Sequence, residues 1–238
     1  MKRNTRLGLV LTAVFMMSAF VATAAQGKQA GFTASSYPAV TTWHSEEEST
    51  YVQFPGAIAE CDVMTYESTL SEASTQLTLT PHYAGCNISF AGNITFRWNG
   101  CHYLLEAGTA ISTEEATAST FLKCPPDKKA EVVMYSELCI IDIPEQQMGE
   151  ITFTNKEGSG EEPQDYVTAD MGSVDFEYTM TRISPFFSPC SHNTGEGNLV
   201  GSFVARGYDD LSNHWDTETP ETKTYTHGEK IDFDVKST

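Results

Sequence analysis

Asp209, Asp210, Asn213 and Asp216 place four oxygen donors within eight residues, and Ca²⁺ gathers about six to eight oxygens from such loops. The EF-type glycine and terminal glutamate are missing. A turn that caps its own backbone with Asp and Asn accounts for the segment equally well, so these four are weak calcium candidates and no metal is assigned. The six histidines, His44, His82, His102, His192, His214 and His227, are scattered without metal-ligand spacing. His192 lies two residues after Cys190 and is the one a disulfide would hold most rigidly. No G-x-S-x-G pentapeptide marks a serine hydrolase and no H-E-x-x-H marks a zinc protease. Gly195 to Gly201 is glycine-rich but lacks phosphate-binding spacing, and reads as a hairpin turn. With 32 acidic residues, a pair of carboxylates for glycoside hydrolysis can always be drawn and so carries no weight. No catalytic or cofactor-binding residue is assigned.

The residues whose chemistry is clearest are the six cysteines. Cys86 to Cys101 and Cys124 to Cys139 each enclose 14 residues, and Cys61 and Cys190 stand outside. An even count in an exported chain reads as a disulfide framework. No C-x₂₋₄-C pair supports zinc. Many connectivities are open. The equal spacing favours two local bridges, Cys86–Cys101 and Cys124–Cys139, each closing a hairpin-like unit, which leaves Cys61 for Cys190.

Export is expected from the first 25 residues. Lys2, Arg3 and Arg6 precede an uncharged run from Leu7 to Ala25, and Ala22-Thr23-Ala24 supplies a small-x-small cleavage pattern. No membrane insertion is expected after cleavage. Three of the 14 basic residues lie in this segment, which leaves 11 against 32 acidic ones. That charge repels nucleic acid and anionic membrane surfaces.

The elements that must position these residues are strands. Residues 26–36 are small and polar and read as a flexible lead-in. From Tyr37 onward, short runs rich in Val, Ile, Thr, Tyr and Phe are interrupted by Gly, Pro, Asn or Asp. The runs are 51–54, 57–64, 76–80, 93–98, 102–106, 131–135, 140–143, 151–154, 174–180, 198–206, 222–226 and 230–235. In 174–180, Val174, Phe176, Tyr178 and Met180 fall on one face and Asp175, Glu177 and Thr179 on the other. Helical periodicity is scarce, with one helical turn expected at Pro144–Met148. The expected fold is all-β, an antiparallel sandwich or barrel-like domain stapled by disulfides. A single domain over 37–238 is expected, with a sub-boundary near 155–165 as the alternative and a long acidic hairpin loop there as the simpler reading. Trp43, Trp98 and Trp215 suit a core better than a sugar-stacking face.

The series FTASSYPA, AECDV, LTLTPHYAGC, NGCHYLL, KCPPDKKAEV, CIIDIPEQ and ITFTN, over residues 31–155, resembles a broad group of secreted, disulfide-containing all-β proteins of soil actinobacteria. The resemblance implies an exported all-β protein with this cysteine order, and it carries over no catalytic residue. The expected function is that of a non-enzymatic binding or structural module at or outside the cell envelope, with an extracellular glycan or protein as partner. The alternative is a secreted hydrolase acting on polysaccharide or peptide.

Overall fold

The computed structural model describes residues 28–45, 50–89, 91–160, 164–172, 174–182, 193–209 and 229–237. They contain seventeen strands and no helix. In chain order these are β1 (Ala30–Ala34), β2 (Ala39–Ser45), β3 (Tyr51–Phe54), β4 (Ala57–Leu70), β5 (Gln76–Ile88), β6 (Gly92–Arg97), β7 (His102–Ala110), β8 (Glu115–Lys123) and β9 (Ala130–Met134). There follow β10 (Cys139–Ile143), β11 (Gln146–Lys156), β12 (Tyr166–Asp170), β13 (Val174–Arg182), β14 (Asn193–Val200), β15 (Ser202–Tyr208), β16 (Lys230–Ile231) and β17 (Phe233–Ser237). Every pairing between them is antiparallel.

The pairings close two rings of eight strands. Ring A runs β2–β4–β5–β7–β8–β11–β12–β15 and back to β2. Ring B runs β3–β4–β5–β6–β9–β10–β13–β14 and back to β3. Both therefore contain the long hairpin β4–β5. Its register holds without a slip from Ala59↔Ile88 to Glu67↔Thr80, but the buried face changes along its length. Ala57, Ala59, Cys86 and Ile88 are buried at the ring B end, and Met64, Tyr66, Ser68, Leu70, Leu77 and Leu79 at the ring A end. Successive side chains of a strand point to opposite faces, so each ring uses one face of the same ladder.

Side chains fill ring A, as expected for a barrel of this size. Trp43 and Phe153 meet edge to face at 5.9 Å, against the small side chains Ala107, Ala116, Ala118, Ala169 and Ala205. The β1–β17 pair lies across one end, where Phe32 packs on Phe153 and Phe233 on Trp43. The pair is held by Phe32 bonding Ser74 through both backbone groups and by the Asn155 side chain, whose amide donates to the Val235 carbonyl and whose oxygen accepts from the Val235 N–H, both at 2.9 Å. Ring B is filled by Val52, Phe54, Ile88, Val132, Ile141, Val174, Phe176 and Leu199. Burying each such large apolar side chain stabilises the fold by about 1.5–3 kcal/mol.

The junction of the rings is aromatic. Tyr66 and Tyr83 share a hydroxyl–hydroxyl hydrogen bond of 2.5 Å, Tyr103 adjoins both, and Phe96, Trp98 and Phe203 pack around them. Burial pushes the hydroxyls of Tyr66, Tyr83 and Tyr103 well above their ordinary range.

Several expectations are corrected. The flexible lead-in contains β1, whose Ala30 and Phe32 are fully buried, because a partner two hundred residues away in β17 gives that segment a ladder. The helical turn at Pro144–Met148 gives way to the start of β11, where Gln146 and Gln147 pair with Leu122 and Phe121. The local cysteine pairing is also overturned. Cys61 bonds Cys86, and Cys101 bonds Cys124. Cys61 and Cys86 face each other in the β4–β5 ladder. Cys101 and Cys124 flank the His102↔Lys123 pair that ends the β7–β8 hairpin. Cys139 is disulfide-bonded too, to a partner outside the described residues. Cross-strand adjacency decides the bonding, and equal spacing along the chain does not. Each loop closed this way contributes about 3 kcal/mol, and such bonds point to an oxidising environment. β11 and β12 pair with each other from Thr152↔Asp170 to Lys156↔Tyr166.

Candidate functional site

Where β3 ends, the wall of ring B carries a groove of about 780 Å³. Its construction follows from register. β14 pairs with β3 only through Asn198↔Gln53, Leu199↔Val52 and Val200↔Tyr51. Two residues further along, the same register would set Pro55 opposite Glu196, but the ladder does not reach it. Proline has no N–H to give a ladder, and the chain turns at Gly56, with φ of +80°, into β4. β14 nevertheless continues to Asn193, paired on its other side to β13.

The direction of the exposed backbone groups can be derived. On β13, Glu177 donates its N–H to Gln146 Oε1 at 2.6 Å, and its carbonyl accepts from Gln146 Nε2 at 2.9 Å. Its backbone is therefore turned away from β14. Residues opposite each other in an antiparallel ladder both turn inward or both turn outward, so the N–H and C=O of Glu196, opposite Glu177, point into the groove. Those of Thr194 do the same, two residues on. Asn198 and Val200 share this parity and meet β3. Among the described residues, the backbone groups of Thr194 and Glu196 on this side have no partner.

The side chains add a polar, acidic lining. Glu177 and Glu196 are exposed and directly opposed, at the kind of pair where side chains approach most closely. Thr179 opposes Thr194, and Asp175 opposes Asn198. A second hollow of about 450 Å³ shares Gln53 and extends past Ile58, which is 42% exposed, to Glu60 and Asn87. No basic side chain lines either hollow among the described residues.

Tyr178 lies in the floor. It is only 5% exposed, its hydroxyl makes no hydrogen bond among the described residues, and burial raises its pKa. Phe54 packs edge to face on it at 5.4 Å. A Cβ at Gly195, opposite Tyr178, would stand 2.6 Å from the hydroxyl oxygen, and one at Gly197 would stand 2.6 Å from the Phe176 ring. The glycines read as a hairpin turn lie instead inside β14, because the Tyr178 and Phe176 rings occupy the space over them. Only Gly201 sits in the connection to β15.

The other sequence candidates lie elsewhere. Asp209 is exposed beyond β15, while Asp210, Asn213 and Asp216 fall outside the described residues, as do Cys190, His192, His214, Trp215, His227 and the run 222–226. Among the described residues no group of three His, Cys, Asp or Glu is placed to hold a metal ion. His44 and His82 come to either side of Thr65 across three strands of ring A, a juxtaposition invisible in the sequence. Burial lowers the His82 pKa, with the Glu67 charge opposing it. Trp43 is core, as expected.

The fold and groove together define an antiparallel, barrel-like β protein held by disulfides, with an uncovered stretch of β14 among the described residues. No family model, no curated protein and no solved structure matches the chain.

Proposed function

We propose that this protein is a non-enzymatic binding module, exported to the outside of the cell or to its envelope, and that the ring B groove is where it binds. The observation that carries the reading is the groove itself, where Tyr178 buries its ring in the floor while its hydroxyl, without a hydrogen bond among the described residues, stays accessible from the groove. Ligand sites are clefts of about 300–1,000 Å³ with a few polar groups that fix orientation. The cysteine framework and the leading apolar run support export.

Amide mapping by NMR tests this. The labelled oxidised chain is titrated with calcium chloride, with hexamers of glucosamine and N-acetylglucosamine, and with basic and acidic peptides. Binding at the groove is expected to shift the amides of Glu177, Tyr178 and Thr194 to Gly197. Saturation by a probe that moves only amides elsewhere, or no response to any probe at millimolar concentration, removes the proposal.

One observation favours a second reading. Glu177 and Glu196 stand side by side, as the acid and base of a secreted hydrolase would. Acid and base roles need two different environments, however, and here both carboxylates are exposed on one surface. Turnover of a labelled polysaccharide or peptide that is lost in Glu196→Gln would establish the hydrolase.

A further inference from the structure

We infer that the groove is a strand-addition site for an extended segment of a partner protein bearing Lys or Arg at alternate positions. The inference rests on the binding-module reading and names the chemistry of its ligand. In strand addition, main-chain hydrogen bonds give affinity and alternate side chains give specificity.

The backbone carries the first part of the argument. An uncovered strand presents a row of N–H and C=O groups that another chain can pair with, and proteins protect such rows. Among the described residues the chain does so at two places with one device. Gln146 covers both backbone groups of Glu177, and Asn155 covers both of Val235. At Thr194 and Glu196 the ladder with β3 has already ended at Asn198↔Gln53, the chain turns at Gly56, and no side-chain amide closes the row among the described residues. Among the described residues, the slot in line with β3 is left open.

Charge carries the second part. Glu177 and Glu196 oppose each other on the outer face, where like charges are unfavourable, and neither forms an ion pair among the described residues. Glu60 extends the negative lining past Gln53. A segment lying in the slot would place one set of alternate side chains beside these carboxylates and the other set toward Phe54 and Tyr178. Basic residues suit the first set and apolar residues the second. A second copy of this chain is disfavoured, because its own edge carries Glu196 and each copy has a formal charge of −18.

Fluorescence anisotropy with a labelled, end-capped Thr-Lys-Val-Lys-Val-Lys-Thr peptide and the full oxidised chain tests the inference. Saturable binding is expected. Peptide N-methylated at alternate residues, or the variant Thr194→Pro, should weaken it about tenfold or more through loss of main-chain bonds. The Thr194 N–H faces the groove, so proline at this edge position is compatible with β14, which circular dichroism checks. Should that variant misfold, the N-methylated peptide still decides. Replacing Lys by Glu in the peptide, or Glu177→Gln with Glu196→Gln, should weaken binding about fivefold or more and flatten its salt dependence. Equal binding of the methylated peptide overturns strand addition and leaves a charged surface, with the binding-module reading intact. A glucosamine hexamer that shifts the Thr194 and Glu196 amides when the peptide does not assigns the groove to a glycan, and again overturns only this inference. Concentration-dependent pairing of the chain with itself through β14 gives the slot to a second copy and overturns it too. Silence of every probe at the groove overturns both readings.

Discussion

Ring A and ring B each close with eight antiparallel strands and share two of them, yet they finish their edges differently. Ring A has a two-stranded cap across one end, an aromatic interior of Trp43, Phe153, Phe32 and Phe233, and an asparagine that covers the cap at Val235. Ring B has short ladders, two glycines where rings lie over a strand, and an uncovered stretch at Thr194 and Glu196. Under the proposed function, ring A holds the fold and ring B meets a partner. It also separates positions where mutation costs stability from positions where it costs only contact.

The contrast is broken most severely by emptying ring A. Trp43→Ala is expected to cost about 4 kcal/mol, since a fully buried large side chain leaves a cavity its neighbours fill only partly. Phe176→Ala in ring B, beside the groove, should cost about 3 kcal/mol. Urea denaturation of both variants measures the difference, and an equal or larger loss for Phe176 would remove the distinction between a load-carrying ring and a contact ring. Next in size is the double variant Cys61→Ala, Cys86→Ala. It should lose about 3 kcal/mol in one cooperative transition, because the bridge sits in the ladder both rings use. Two separated transitions in thermal melting would show that the rings do not depend on each other.

The two ways of finishing an edge can be compared directly. Asn155→Ala uncovers both backbone groups of Val235 and should cost about 2 kcal/mol, whereas Thr194→Pro should leave stability within about 0.5 kcal/mol. Similar losses in the two variants would mean that the Thr194 edge is already covered. The smallest effect concerns pH. Tyr66, Tyr83 and Tyr103 have folded pKa values raised above the ordinary 10.0, so the unfolded chain gives up these protons first. Stability from the protonated trio is complete below about pH 10 and is lost as pH rises through the folded values. Tyr83→Phe removes one titrating group and should make the alkaline loss shallower, as followed by near-ultraviolet circular dichroism.

Part of the strand content was legible in the sequence, because runs such as β13 alternate cleanly, but β2, β8 and β12 were not read as strands and the first half of β14 was read as a turn. The long strands β4 and β5 were read at about half their length. Their buried parity changes between Ala59 and Met64, so a single alternating pattern fits only one half. β1 was read as flexible because its partner β17 lies at the far end of the chain. The cysteine pairing failed for a related reason, since Cys61 and Cys86 become neighbours only once both strands have their full length. The groove was the least visible. Its carboxylates were among 32 acidic residues, and only register brings Glu177 to Glu196. A usable signal was present in Gly195-Glu-Gly197, which alternates as a strand does and could have been matched to the aromatic face of 174–180.

The shared hairpin has a consequence in genetic terms. A codon gained at Asp62 would reverse the facing of every later residue in β4, turning Met64, Tyr66, Ser68 and Leu70 outward from ring A while Ala57 and Ala59 kept their places in ring B. Two codons gained together would restore the facing on both sides. Changes of length in this hairpin are therefore tolerable in twos and damaging in ones, and an odd change strikes one barrel while sparing the other.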